Sequence, residues 1–260
     1  MSAYKHFIPF IKELALKSSD VILPYFANHD IVVEQKSDET PVTIADRKAE
    51  AVMRELIGQR YPDHGIIGEE YGNENLDAEY VWILDPIDGT KSFASACPLF
   101  GTLIALRRNG EPVLGAIHMP ALGKLLIGDG DKTTLNDKPV QVRQTDTLAD
   151  ATLLTTDILF VEKYRNYAGF DRLIRKVKLF RTWGDCYAYF LLATGWADIV
   201  IDPIMEVWDV QALIPVIRGA GGKISAWDGG DPVQANAIIA ATPALHTDIV
   251  EILNLKSVFK

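Results

Sequence analysis

The chain has 260 residues, of which 48% are hydrophobic and 23% charged, a balance that fits a folded globular protein and argues against a disordered or fibrous one. Its formal charge of −9, from 26 basic and 35 acidic residues, argues against the basic face that a sequence-independent grip on nucleic acid needs. Cys97, Cys186 and five scattered histidines offer neither a disulfide framework nor zinc-ligand spacing, no apolar run is long enough to span a bilayer, and no secretory leader is visible, so the expected setting is cytoplasmic with no membrane partner.

From Tyr4 to Phe26 apolar residues recur at three- and four-residue steps (Phe7, Phe10, Ile11, Leu14, Val21, Ile22), the period of an amphipathic helix, with Pro24 near its end. A second helix is predicted from Thr43, a candidate cap, to Tyr61, before Pro62 and Gly65. Ile66-Ile67, Val81 to Leu84, Thr102 to Leu106 and Val113 to Ile117 are short apolar runs bounded by turn residues, as sheet strands are. Asn109-Gly110 supplies a positive-φ hairpin turn between the last two.

Beyond about Thr145 the pattern becomes strand and helix in alternation. Strands are expected at Leu153 to Thr155, Leu179 to Thr182, Ile199 to Ile201 and Ile238 to Ala241, with helices near Leu173, over Tyr187 to Ala193, over Val210 to Arg218 and after Pro243. The expected architecture is a mixed α+β or α/β fold, two sheets sandwiched between helices, with subdomains over 1–145 and 146–260.

The stretch Trp82-Ile83-Leu84-Asp85-Pro86-Ile87-Asp88-Gly89-Thr90 runs an apolar strand directly into two carboxylates. Ligand sites in α/β sheets lie beyond strand ends, and Pro86 with Gly89 turns the chain so that both carboxylates can face one point. Taken alone, such a segment is better read as a turn followed by a helix cap. The second strand end at Ile66-Ile67, which leads into Gly68-Glu69-Glu70, shifts the balance toward an oxygen-only cluster suited to a hard cation such as Mg2+.

The motifs Ile67-Gly68-Glu69-Glu70, Asp85 to Thr90, and Trp208-Asp209 followed by Gly219-Ala220-Gly221-Gly222 resemble, in order and spacing, the signature set of the inositol monophosphatase family. The resemblance implies a layered αβαβα sandwich, two or three Mg2+ ions per site, a small phosphate ester as substrate and a homodimer. Carried over by position, it makes Glu69, Asp85 and the Ile87 carbonyl ligands of one ion, and Asp85, Asp88 and Asp209 ligands of another. A further, weaker ion is held through Glu69 and water in such enzymes. The N–H groups of Gly89 and Thr90 would meet the phosphate. Asp46, in a segment resembling the family's Thr-x-x-Asp with Lys36 upstream, would pair with Thr90 to prepare the attacking water. Without the family, Asp46 reads as an exposed helix residue; Glu70 stays undecided between a solvated and a supporting role.

Two rival readings are weaker. The aspartyl-phosphate loop of haloacid dehalogenase phosphatases needs an Asp-x-Asp-x-Thr pattern, and the residues here are spaced more widely. An inactive metal-binding relative would have lost ligands, and this chain keeps each expected one.

Gly184-Asp185-Cys186-Tyr187 aligns with the family's substrate loop but departs from the small residues of inositol-specific members. With Asp202-Pro203 it looks closer to the histidinol-phosphate phosphatase branch, and inositol phosphate or another polyol phosphate is the alternative. Gly184, Asp185, Cys186 and Asp202 are therefore candidate substrate residues, with Asp185 and then Asp202 placed to meet a substrate amine. The bland readings are that Asp185 caps the helix after it, and that Asp202 and Glu206 are surface carboxylates flanking a turn.

Overall fold

The structure, a computed structural model, describes residues 4–28, 33–35 and 41–255, with backbone only for 33–35 and 41–43. Lys36 and the side chain of the proposed cap Thr43 lie outside the described residues.

Helix α1 (Ile8–Ile22) is flanked by single 3-10 turns, one of which holds Pro24, and lies against α2 (Ile44–Arg60). Between them, β1 (Val33–Gln35) and β2 (Pro41–Thr43) form a small antiparallel pair.

The large sheet contains β3 (Gly65–Gly68), β4 (Gly72–Glu74), β5 (Tyr80–Asp88), β6 (Gly101–Arg108), β7 (Glu111–Met119), β8 (Lys124–Gly128), β9 (Thr133–Leu135) and β10 (Lys138–Val140). Its order is β10-β9-β8-β7-β6-β5-β3-β4, antiparallel except for the β3–β5 pair. The β6–β7 hairpin turns on Asn109 and Gly110, both at positive φ, as the Asn-Gly pair requires.

The second sheet contains β11 (Thr152–Leu154), β12 (Leu179–Arg181), β13 (Ile199–Asp202), β14 (Lys223–Ala226) and β15 (Ile238–Ala241), in the order β12-β11-β13-β15-β14. Only β12, β11 and β13 pair in parallel; β14 and β15 run antiparallel with no helix between them, so the expected alternation holds for half of this sheet.

Side-chain alternation sorts the strands into layers. On β5 and β6, Trp82, Leu84, Ile104 and Leu106 face α1 and α2, while Val81, Ile83, Leu103 and Ala105 face the other way. That second face shares a core with α6 (Asp185–Ala193), α8 (Leu213–Gly219) and Leu154, Val200, Ile238 and Ala240 of the second sheet. The opposite face of the second sheet, with Leu153, Ile199, Ile201, Ile239 and Ala241, packs on α5 (Tyr167–Ile174) and α9 (His246–Asn254). The result is the expected helix, sheet, helix, sheet, helix sandwich.

Helix α4 (Ile158–Tyr164), opened by an Asp157 cap, and strands β4, β8 to β10 and β14 add to the expected set. The helix expected over Val210 to Arg218 is α8, which starts three residues later, and a separate short helix, α7 (Val207–Val210), precedes it. Pro215 has no N–H for the Gln211 carbonyl, so the helical ladder is interrupted there and Pro215 falls in the first turn of α8, where that hydrogen bond is not needed. No helix among the described residues is long and apolar enough to cross a membrane.

Candidate active site

The acidic cluster is built where β5 stops being regular. Pairing with β6 slips between Asp85, opposite Leu103, and Asp88, opposite Gly101, so three steps on β5 match two on β6. Pro86 cannot donate to the ladder, its carbonyl accepts instead from the Thr102 hydroxyl at 2.8 Å, and the resulting bulge re-aims the chain. Gly89, at φ 82°, then turns it into α3 (Thr90–Ala94), and the Thr90 hydroxyl donates to the Ile87 carbonyl at 3.1 Å.

Oxygens of Asp46, Glu69 and Asp85 lie within 4.8 Å of one another, as do oxygens of Asp85, Asp88 and Asp209. Asp46 is buried in the first turn of α2, which corrects the exposed-helix reading. Glu69 follows β3, with its N–H on the Leu84 carbonyl at 3.3 Å. Asp209 accepts from the Glu206 N–H at 2.7 Å, while the Glu206 side chain accepts from the Asp209 N–H, a reciprocal cap that starts α7 and gives Glu206 a structural task.

Burial pushes Asp85 well above the usual carboxylate range, and Glu69, Asp88, Asp209 and Asp46 push it further. Asp88 is raised by burial and by Asp185 and Asp209, against the opposing N–H of Cys186. Asp209 is pushed to about 7, chiefly by burial, with Glu69, Glu206 and Asp185 adding to it. Asp85 is 2% exposed, and its Oδ1 has no hydrogen-bond partner among the described residues. Crowded oxygen donors with an unsatisfied buried atom fit a hard divalent cation such as Mg2+, which supplies the missing positive charge.

Beside this cluster sits the start of α6. Gly184 packs its backbone so tightly on Thr156 that a Cβ would overlap it, and the Asp185 N–H donates to the Thr156 hydroxyl at 2.9 Å. Asp185 is the first residue of α6, at φ 52°, with Gly184 in the capping position and no side-chain cap present. The capping reading of Asp185 is therefore wrong: its carboxylate turns away from the helix to the Ser92 hydroxyl at 3.5 Å, and a Cβ on Gly89 would come within 3.0 Å of its Oδ2. Burial raises it to about 6, opposed by Lys91 and Ser92.

Cys186 is corrected as well. Its side chain is buried against Met119, with sulfur atoms 3.7 Å apart, and its backbone N–H donates to Asp88 of the cluster. Asp202 is no surface carboxylate, being 3% exposed and accepting from the Thr156 N–H at 3.0 Å and the Tyr189 hydroxyl at 2.9 Å. Burial raises it to about 6. The Glu70 carboxylate is tucked inward, 3.8 Å from the Arg47 guanidinium, so it supports the loop rather than being solvated.

Sequence reasoning missed Thr156, Tyr189 and Glu50. The first two have no local signal, but Glu50 stands one helical turn beyond Asp46 and so on the same face of α2, which i, i+4 spacing does announce.

A layered sandwich with carboxylates gathered at a bulged strand end fits a metal-binding site, and comparison with known proteins gives the class. The model of the inositol monophosphatase family matches residues 3–256. The chain belongs to that family, whose members are metal-dependent phosphatases of small phosphate esters. It is 46% identical over 220 residues to the chloroplastic bifunctional phosphatase IMPL2 of Arabidopsis thaliana, a match covering 83% of this chain and 63% of that one. The histidinol-phosphatase of Chlorobaculum parvum is 36% identical, over 92% of this chain and 93% of its own length. The solved structure of an inositol monophosphatase from Zymomonas mobilis superposes with a TM-score of 0.87 at 36% identity, over 98% of this chain and 100% of the other.

Proposed function

We propose that this protein is a Mg2+-dependent phosphomonoesterase whose preferred substrate is histidinol phosphate. The observation that carries the reading is the position of Asp185, a half-buried carboxylate turned out of its own helix toward the Gly89 turn and the acidic cluster. Glu69, Asp85, Asp88, Asp209 and the Ile87 carbonyl would hold the ions. When bound, Mg2+ supplies charge neutralisation of the ester and acidifies water for attack on phosphorus.

The chain's own groups do the rest. The N–H groups of Gly89 and Thr90, at the start of α3, donate to the phosphate oxygens. Asp46 and Thr90 orient the attacking water, and Asp46 takes its proton. Asp185 meets the protonated amine of the leaving alcohol, with Cys186 and Gly184 fixing the turn that presents it and Asp202 holding Thr156 beneath that turn. On this reading units 1–145 and 146–260 meet at the site, the first bringing Asp46, Glu69, Asp85 and Asp88 and the second Asp185 and Asp209.

Similarity to a histidinol-phosphatase over nearly the whole chain supports the substrate. Equal identity to an inositol monophosphatase supports the alternative, an inositol or related polyol phosphate. Phosphate release from histidinol phosphate, inositol-1-phosphate, fructose-1,6-bisphosphate and adenosine 3',5'-bisphosphate, compared at one Mg2+ concentration, decides between them. A kcat/KM highest for inositol-1-phosphate would replace the histidinol reading and leave the phosphatase reading in place.

A further inference from the structure

Glu50 is 0% exposed in the middle of α2, a cost that a carboxylate bears only when its oxygens are fully engaged. They are. Oε2 accepts from the Glu70 N–H at 2.8 Å, and Oε1 accepts from the Tyr71 N–H at 3.1 Å and from Arg54 Nε at 2.7 Å. Arg54 continues outward to Glu74 at 2.8 Å and to the Gly72 carbonyl. Gly68 is a glycine because this pair lies against it: a Cβ there would overlap Glu50 Oε1 and press on the Arg54 guanidinium.

These contacts bracket Glu69. Its own N–H is tied to Leu84, the residue before Asp85, and the next two N–H groups are tied to Glu50. Glu50 in turn is one helical turn from Asp46, whose carboxylate shares the cluster with Glu69 and Asp85. One rigid helix therefore carries a member of the cluster and the clamp for the loop that delivers another member.

We infer that Glu50 is a positioning residue for the metal site: its carboxylate sets the Glu69 loop at the distance from Asp85 at which the two can share a cation beside Asp46. This rests on the metal-dependent reading above and extends it to a residue outside the cluster. The merely structural alternative, a buried ion pair with Arg54 that stabilises the fold, makes a different forecast.

Glu50→Gln keeps the shape but turns an NH2 group toward N–H donors. Outer-shell changes of this kind cost about 10–100-fold in metal affinity. The expected result is a rise of that size in the Mn2+ dissociation constant measured by calorimetry, matched by the Mg2+ concentration for half-maximal phosphate release. Arg54→Leu, which leaves both loop N–H groups on Glu50, should lower the melting temperature with a change in Mn2+ affinity below about threefold. Glu50→Asp keeps the charge for Arg54 and shortens the reach, so it should weaken Mn2+ as Glu50→Gln does and serves if that variant folds poorly. Unchanged Mn2+ affinity in both Glu50 variants, or equal weakening by Arg54→Leu, overturns the inference. A wild-type protein that binds no Mn2+ overturns the metal reading itself, and this inference with it.

Discussion

Asp85 belongs to both groups of converging oxygens, and four other carboxylates act on it. Asp85→Asn removes a ligand charge from each group, so turnover at saturating Mg2+ should fall roughly a hundredfold or more. Because the same change deletes a buried charge crowded by like charges, the metal-free variant should melt no lower than the metal-free wild type. Near-wild-type turnover at low Mg2+ would remove Asp85 from the ligand set. Asp185 works differently, since a charge-assisted hydrogen bond of about 1.5–3 kcal/mol to a substrate amine corresponds to about ten- to a hundredfold in specificity. Asp185→Asn should cut kcat/KM on histidinol phosphate by that factor and leave inositol-1-phosphate nearly untouched. Equal losses on the two esters would mean that Asp185 reads no amine.

At the scale of elements, the large sheet packs closely on α8 through β7 and β8. Gly115 on β7 meets the Ala212 carbonyl, and Gly128 on β8 meets the backbone of Pro215 and Val216, so closely that a Cβ at either would overlap main chain. Overpacking against backbone that cannot yield costs about 1–3 kcal/mol. Gly115→Ala should lower stability by that amount in urea denaturation while the Mg2+ concentration for half-maximal activity stays as in wild type. A shifted Mg2+ requirement with unchanged stability would show that this packing tunes the site instead of supporting it. The start of α7 matters too: with Glu206 as its cap, Asp209 falls in the first turn, where its Oδ2 accepts from the Glu206 N–H while the carboxylate joins the cluster.

At the scale of the molecule, one apolar core spans the inner faces of both sheets, so the charge stored at the cluster is borne by the whole fold. Asp209 titrates near 7 in the folded chain and in the ordinary carboxylate range when unfolded, so the folded state binds more protons across that window. Metal-free stability should therefore rise as pH falls from 8 to about 6.5. His64, His118 and His246, all lowered by burial, oppose this rise as they protonate more readily in the unfolded chain, and so make it shallower below about 6.5. Saturating Mg2+ should raise the melting temperature most at pH 8, where the carboxylates are charged; a pH-independent metal-free melting temperature across 6.5 to 8 would contradict the crowding described here. What the sequence by itself determined is what local chemistry encodes: the helical period of α1, the apolar runs of β5 to β7, the Asn109-Gly110 turn, and the strand ends that carry Glu69, Asp85 and Asp88. The short strands β4, β8 to β10 and β14 escaped it because three to five residues with polar or glycine neighbours become strands only when a partner edge is present. The direction of Asp185, the burial of Asp202 and Cys186, and the hold of Glu50 on the Glu69 loop were decided by tertiary structure alone. Each depends on which distant backbone group lies within hydrogen-bond reach, and only the packed layers set that distance.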